Sequence, residues 1–511
     1  MDWAYTQVIA GLLLATALCL FYSLTRSSAS RRLLPLPPGP DAAWYTPGPK
    51  MPMKFAELGD IYGPVFSYRR GKEVVCVINR HEAAMEILQK QGADTVDRPR
   101  AIAANEILSG GDAYCTDRRR SSHQKASKLQ LSTVGQYQPL QMRNARTYVL
   151  DLLRKPDEHI SHAKRYAASV VMSMTYGKLS TSYADPEIQA LMLYMIRFTK
   201  CMQFGKHLVD NYPFLRYVPF VTSELRKWHQ DELGLYRQML GDVRQKMAAH
   251  AVQPCFASYL LERQEEYDLK DNELAYLAGA MFAAGSETTS SAIAFMLMAA
   301  AKFPEEAAKV RKQLDDAVGR DRLPTFEDIK ALPRVRAFFW ETFRWRPVFW
   351  GGIAHRAMRD VIWKEYVIPE GAIIIGNHWG IGLDPDAYPD PHTFKPDRWL
   401  DADGNFNEDM TFCNYGFGRR FCVGQYLANK YVHVAIPHPL SYLSLAPLGH
   451  GSSMFITTAL ALWSFDMRED PESPIDTMAF EDSATIRPHP FKIIFEPRID
   501  NLQEIVESHT D

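Results

Sequence analysis

Ten residues near the C-terminal end constrain this chain more than any other stretch. They read Tyr415-Gly416-Phe417-Gly418-Arg419-Arg420-Phe421-Cys422-Val423-Gly424. Gly416 and Gly418 permit a sharp turn and a close approach of backbone to something flat or large. An arginine two residues before Cys422, and a helix start read at Gln425-Tyr426-Leu427-Ala428, surround the thiol with positive potential. Both favour the thiolate, the form that ligates metals. Cys413, nine residues earlier, lacks this setting and reads as inert. The glycine spacing is not that of a dinucleotide-binding loop, and no strand precedes it.

The other cysteines, at positions 19, 76, 115, 201 and 255, form no CxxC pair, which excludes zinc ribbons and thioredoxin-like motifs. Seven scattered cysteines in 511 residues fit a reducing compartment better than a disulfide framework. With 58 Lys+Arg against 60 Asp+Glu, the balance gives no support to nucleic-acid binding. A content of 46% hydrophobic and 23% charged residues excludes disorder over the whole chain.

From Trp3 to Thr25 no side chain is charged, and the stretch is long enough to cross the hydrocarbon layer as a helix. Residues 1–26 therefore read as a single-pass membrane anchor. Arg26, Arg31 and Arg32 follow it, which puts the remaining body in the cytosol. A cleaved signal peptide is the competing reading, weakened by the missing basic leader and the long apolar run. Residues 27–50 read as a linker. Its Leu34-Pro35-Leu36-Pro37-Pro38-Gly39-Pro40 is semi-rigid and extended, because prolines fix φ and lack an amide donor.

Residues 51–511 form the body. Residues 64–78 read as two short strands around a turn at Arg70-Gly71. Helical patterns cover the segments near 80–91, 137–154, 160–176, 187–205, 222–250, 272–303 and 304–318, and strand-like pieces return at 365–376 and 491–496. The body is thus expected to be mainly α with small β-sheets. Within the longest helical pattern, Ala284-Gly285-Ser286-Glu287-Thr288-Thr289-Ser290-Ser291 reads as an interruption, since hydroxyl residues compete for backbone hydrogen bonds. A buried Glu287 would be costly without partners or a task, while a helix crossing that needs small residues is the plainer reading. Glu341 and Arg344 face one another at i and i+3, an arrangement usually found on helix surfaces. Phe394-Lys395-Pro396-Asp397-Arg398-Trp399 adds a further arginine in a proline-rich loop.

Taken together, these motifs resemble the cytochrome P-450 family, the haem-thiolate monooxygenases, and among them fungal microsomal members. The likeness covers nearly the whole chain in family order. It implies the P-450 fold and makes Cys422 the proximal thiolate ligand of haem iron. It further implies that Arg420 and His355 meet haem propionates and that Gly416 and Gly418 shape the haem-binding loop. Gly285 matches the small residue that leaves room for dioxygen. Glu287 and Thr288 match the acid–alcohol pair that passes protons, and Glu341, Arg344 and Arg398 match a buried structural triad. The implied partners are dioxygen, a small lipophilic substrate, the endoplasmic reticulum membrane and an NADPH-dependent flavoprotein reductase, with a cytochrome b-type donor as a second source of electrons.

Three departures stand out. Tyr415 replaces the family's phenylalanine. The family's tryptophan–arginine helix motif is replaced by Tyr114-Cys115-Thr116-Asp117-Arg118-Arg119-Arg120, which leaves open which arginine, if any, faces a propionate. Residues 431–452 read as a non-family insert, a retained intron or gene-model error, because Tyr431–Gly451 carries Pro437, Pro439 and Pro447 and no charge. Joining Lys430 to Ser453 would restore an amphipathic helix. A haem-binding or apo relic without turnover is therefore the alternative to an active enzyme.

Overall fold

The computed structural model describes residues 34–40, 50–112, 137–179, 182–202, 206–410, 413–424, 453–481 and 483–508. The anchor expected over 1–26, the arginines 118–120 and the insert 431–452 lie outside the described residues. Among the described residues, no helix is long and apolar enough to cross a membrane.

The architecture is mainly helical with small sheets. Helix α1 (Met51–Tyr62) leads into the hairpin β1 (Val65–Arg70) and β2 (Glu73–Ile78), which turns at Gly71 with φ 58°. The longer helices that follow include α2 (Gln138–Arg154), α3 (His159–Tyr176), α4 (Pro186–Cys201), α5 (Pro219–Ala248) and α6 (Asp271–Lys302). Then come α7 (Pro304–Ala317), α8 (Pro333–Trp345), β3 (His355–Arg356), β4 (Ile373–Gly376), α9 (Ser453–Ser464), β5 (Phe465–Glu469) and β6 (Ile493–Pro497). Pro186, Pro219, Pro304 and Pro333 open their helices where the missing amide proton costs nothing. The four-stranded sheet runs β1-β2-β4-β3, with β2 and β4 parallel, and β5 pairs antiparallel with β6.

The proline stretch is extended, as its composition dictates, but it is docked rather than free. The Ser67 amide donates to the Pro38 carbonyl at 2.8 Å and the Ser67 hydroxyl to the Pro37 carbonyl at 2.6 Å. A Cβ on Gly39 would lie 1.7 Å from the Ser67 carbonyl oxygen, so only glycine fits this approach to β1.

Helix α6 runs unbroken through 284–291, contrary to the expected interruption. The hydroxyls point back along the helix: Ser286 donates to the Phe282 carbonyl at 2.8 Å, Thr288 to Ala284 at 2.7 Å and Ser290 to Glu287 at 2.9 Å. They satisfy existing helix acceptors instead of diverting backbone groups. Helix α6 packs most extensively on α3. Helix α9 is not amphipathic, since every residue from Ser453 to Ser464 is buried among α2, α6, α7 and α8. A helix that is apolar all round belongs in a core. Burying Phe455, Ile456, Leu460 and Leu462 there stabilises by roughly 1.5–3 kcal/mol each.

Candidate functional site

The cysteine loop is turned by its glycines as expected, with φ 85° at Gly416 and 54° at Gly418. The Gly416 amide donates to the Cys413 carbonyl at 2.9 Å, and the Cys422 amide donates to the Tyr415 carbonyl at 2.8 Å. Gly418 lies so close to the preceding chain that a Cβ would sit 2.6 Å from the Leu88 carbonyl oxygen. Of the five cysteines among the described residues, four are buried and Cys422 is exposed. Burial pushes the Cys76, Cys201 and Cys413 thiols up to about 12. The Tyr415 ring keeps an aromatic contact, edge-on to Phe343 at 6.1 Å.

Arg420 leaves this loop for a buried basic cluster. Its Nε donates to the Val96 carbonyl at 2.8 Å, while His355 Nδ1 meets the Thr95 carbonyl at 2.8 Å. Because a carbonyl only accepts, Nδ1 carries the proton of that bond. Burial, then the neighbouring Arg98, holds His355 well below the usual histidine range, and Arg420 and His378 act in the same direction. Sequence reasoning missed Arg98, which is 4% exposed and donates to the Ile353 and Ala354 carbonyls at 2.8 and 2.9 Å. In Asp97-Arg98-Pro99-Arg100 it reads as one of several solvated loop charges, and only its burial distinguishes it. Buried cations crowded together are stabilised by an anion.

One face of α6 stays accessible in the middle of an otherwise buried helix. Ala280, Met281, Ala284, Gly285, Thr288 and Thr289 keep partial exposure at helical spacing, between the buried Leu274–Gly279 and Ser290–Ala301. Val423, next to Cys422, and Met281 pack against the same apolar cluster, which contains Phe282. A Cβ at Gly285 would lie 3.1 Å from Val171 Cγ2, so its small size also serves the α3–α6 crossing. Ala284, one turn before Thr288, is a further small residue on the accessible face.

Glu287 and Thr288 are neighbours with different partners. Thr288 donates to Ala284, whereas Glu287, 2% exposed, turns toward the C-terminal segment. Its Oε1 accepts from the Thr485 hydroxyl at 3.0 Å and pairs with Arg487 Nη1 at 3.2 Å. No sequence pattern links positions almost two hundred residues apart.

Glu341 and Arg344 are not a surface pair. Both are buried, with Arg344 Nε and Nη2 donating to the two carboxylate oxygens at 2.8 and 2.7 Å. Arg398 Nε adds a contact at 3.2 Å, the Trp399 indole donates at 3.0 Å and the Lys395 amide at 2.8 Å. Arg344 also donates to the Gly382 and Pro391 carbonyls, tying α8 to the loop that follows the sheet.

An exposed thiol on a glycine-turned loop, a buried basic cluster beside it and an accessible face on α6 together fit a flat dianion centred on a metal. The family model Cytochrome P-450 matches residues 39–488. The chain is similar to cytochrome P-450 monooxygenase 113 of Postia placenta, 45% identical over 508 residues that span 97% of this chain and 98% of that one. Monooxygenase 88 of the same fungus is 44% identical over 519 residues, spanning 99% and 100%. A cytochrome P-450 monooxygenase of Armillaria gallica is 32% identical over 487 residues, spanning 90% and 88%.

Proposed function

The chain belongs to the cytochrome P-450 family, whose members are haem-thiolate oxidoreductases that use dioxygen, and on that premise we propose that it is a membrane-anchored monooxygenase oxidising a small lipophilic substrate. The observation that carries this reading is the exposed Cys422 thiol on a glycine-turned loop that also sends Arg420 into a buried basic cluster.

Bound haem would supply the activation of dioxygen, which a thiolate ligand favours by donating electron density. Cys422 would hold the haem iron through its thiolate. Arg98, Arg420 and His355 would hold the two propionates, and a carboxylate at His355 would draw a proton onto its free ring nitrogen. Gly416 and Gly418 set the loop's curvature. Ala284 and Gly285 would leave room for a small ligand beside bound haem, while Thr288 and Glu287 would handle protons. The triad of Glu341, Arg344 and Arg398 holds the floor beneath the site rigid.

Electrons would come from a separate redox partner, an NADPH-dependent flavoprotein reductase, with a cytochrome b-type donor as the second candidate. Residues 1–26 would anchor the body, residues 27–50 would link it and residues 51–511 would form the cytosolic catalytic unit on the endoplasmic reticulum. A second membrane contact is supported by the exposed Leu208, Phe214, Tyr217 and Phe220, the last 81% exposed. The relic reading rests on residues 114–120 and 431–452, outside the described residues, and no described feature favours it.

Haem titration tests the reading. The full chain should take up one haem per polypeptide, and Arg98→Gln should weaken retention about tenfold or more, as expected for a lost charge-assisted contact. A chain that binds no haem defeats the proposal.

A further inference from the structure

One stretch of chain touches both the cysteine loop and the buried basic cluster. Met85–Lys90 form a short helical turn, and the chain runs on from there through Gly92 to Arg98. Its far end serves the cluster. The Thr95 carbonyl meets His355 Nδ1 and the Val96 carbonyl accepts from Arg420 Nε, each at 2.8 Å, and Arg98 is itself a member. Its near end grips the loop, where the side-chain oxygen Oε1 of Gln89 accepts from the Gly418 amide at 2.6 Å.

That bond differs from its neighbours. The amides of Gly416, Arg420 and Cys422 donate to the Cys413, Phe417 and Tyr415 carbonyls, so they close bonds within the loop. The Gly418 amide donates outward, to a side chain thirty-odd positions short of the sheet's third strand and far earlier in the sequence. The two segments are also tightly apposed. A Cβ on Gly92 would lie 3.2 Å from the Gly418 Cα, and one on Gly376 would lie 2.8 Å from the Phe417 ring and 2.9 Å from Leu88 Cδ1. Phe417 is buried in the same apolar cluster as Leu88. Apolar packing is non-directional, so it sets how near the loop comes but not how its peptides are turned. The hydrogen bond has a preferred angle and supplies the orientation. A turn of the Gly418 peptide would carry Arg420, two residues on, and Cys422, four residues on.

We propose that Gln89 is a positioning residue for Cys422. By holding the Gly418 amide it fixes the loop to the 85–98 segment, so that the thiol and the basic cluster keep one spacing. The inference deepens the haem reading above and rests on it, because that spacing matters to a ligand that touches both.

Two measurements on the full chain test this, with two variants. Gln89→Met keeps the side-chain length and removes the acceptor oxygen, whereas Gln89→Glu keeps an oxygen in place. Hydrogen exchange reads the loop without any haem chemistry. In Gln89→Met the amides of 416–422 should exchange about tenfold faster, the factor for one hydrogen bond lost by a partly buried donor. Exchange in α6 and α8 should stay as it was.

The second measurement reads the ligand. At equal haem content, the reduced carbon monoxide complex of Gln89→Met should show an unshifted Soret band, the mark of a lost thiolate, about tenfold stronger relative to the red-shifted one. Gln89→Glu should return both values to those of the unaltered chain. Unchanged exchange in Gln89→Met, an unchanged band ratio, or no rescue by Gln89→Glu overturns the positioning role. Faster exchange throughout α6 and α8 overturns it too, since Gln89 would then be a general stabiliser. Each of these leaves the monooxygenase reading intact, whereas failure of the unaltered chain to bind haem sinks both.

Discussion

Glu341 and Glu287 are both buried carboxylates on helices, and the fold treats them in opposite ways. Around Glu341 every oxygen is occupied: Arg344 binds it bidentately, and Arg398, the Trp399 indole and the Lys395 amide complete the shell. Glu287 has one oxygen held by a hydroxyl and a partly exposed arginine, and the other is buried with no hydrogen-bond partner among the described residues. A fully satisfied buried ion is a fixed part of the scaffold. A half-satisfied one carries a desolvation cost that full pairing would remove. Glu232 on α5 is a third case, 7% exposed and receiving the Tyr236 hydroxyl at 3.0 Å.

The largest effect should come from breaking the satisfied site. Glu341→Gln leaves Arg344 and Arg398 buried without their anion, and should lower unfolding free energy by about 3–5 kcal/mol. Urea denaturation reads it, and a loss below about 1 kcal/mol would remove the structural contrast.

Next in size is the pH dependence of Glu232, which burial raises from 4.5 to about 7 against the opposing Tyr236 bond and Arg197. A carboxylate raised on folding stabilises the protonated fold, so its contribution is full below pH 4.5 and declines as pH rises to about 7. That decline should amount to roughly 3 kcal/mol and be missing in Glu232→Gln. Parallel stability–pH curves for the two proteins would show that Glu232 does not titrate in this window.

Glu287→Gln should behave unlike either. Product formation should fall about a hundredfold, or about 2.7 kcal/mol of barrier, through loss of a proton donor. Stability should move by less than about 1 kcal/mol, because only one oxygen has partners to lose. Turnover that survives, or a collapse in stability like that of Glu341→Gln, would make the two sites equivalent.

Much of this was legible in the residues. The hairpin over 65–78 and the helices α2 to α7 follow from periodicities long enough to read. Met51–Tyr62 and Phe465–Glu469 were not marked, since each is short and its burial is decided by the elements packed on it. Helix α9 carries no polar face to read, because neighbours surround it on all sides. The glycines, Cys422 and the acid–arginine triad were visible as local motifs. Arg98, the Thr485 and Arg487 partners of Glu287 and the Val171 contact of Gly285 were not, since each depends on segments that only the fold brings together.

The central assignment is a thiolate from Cys422 on haem iron, and one spectrum bears on it most directly. Reduced under carbon monoxide, the haem-loaded chain should show the red-shifted Soret band that thiolate ligation produces, and Cys422→Ser should not. A band that persists after the substitution, or one that never appears in the unaltered chain, contradicts the account.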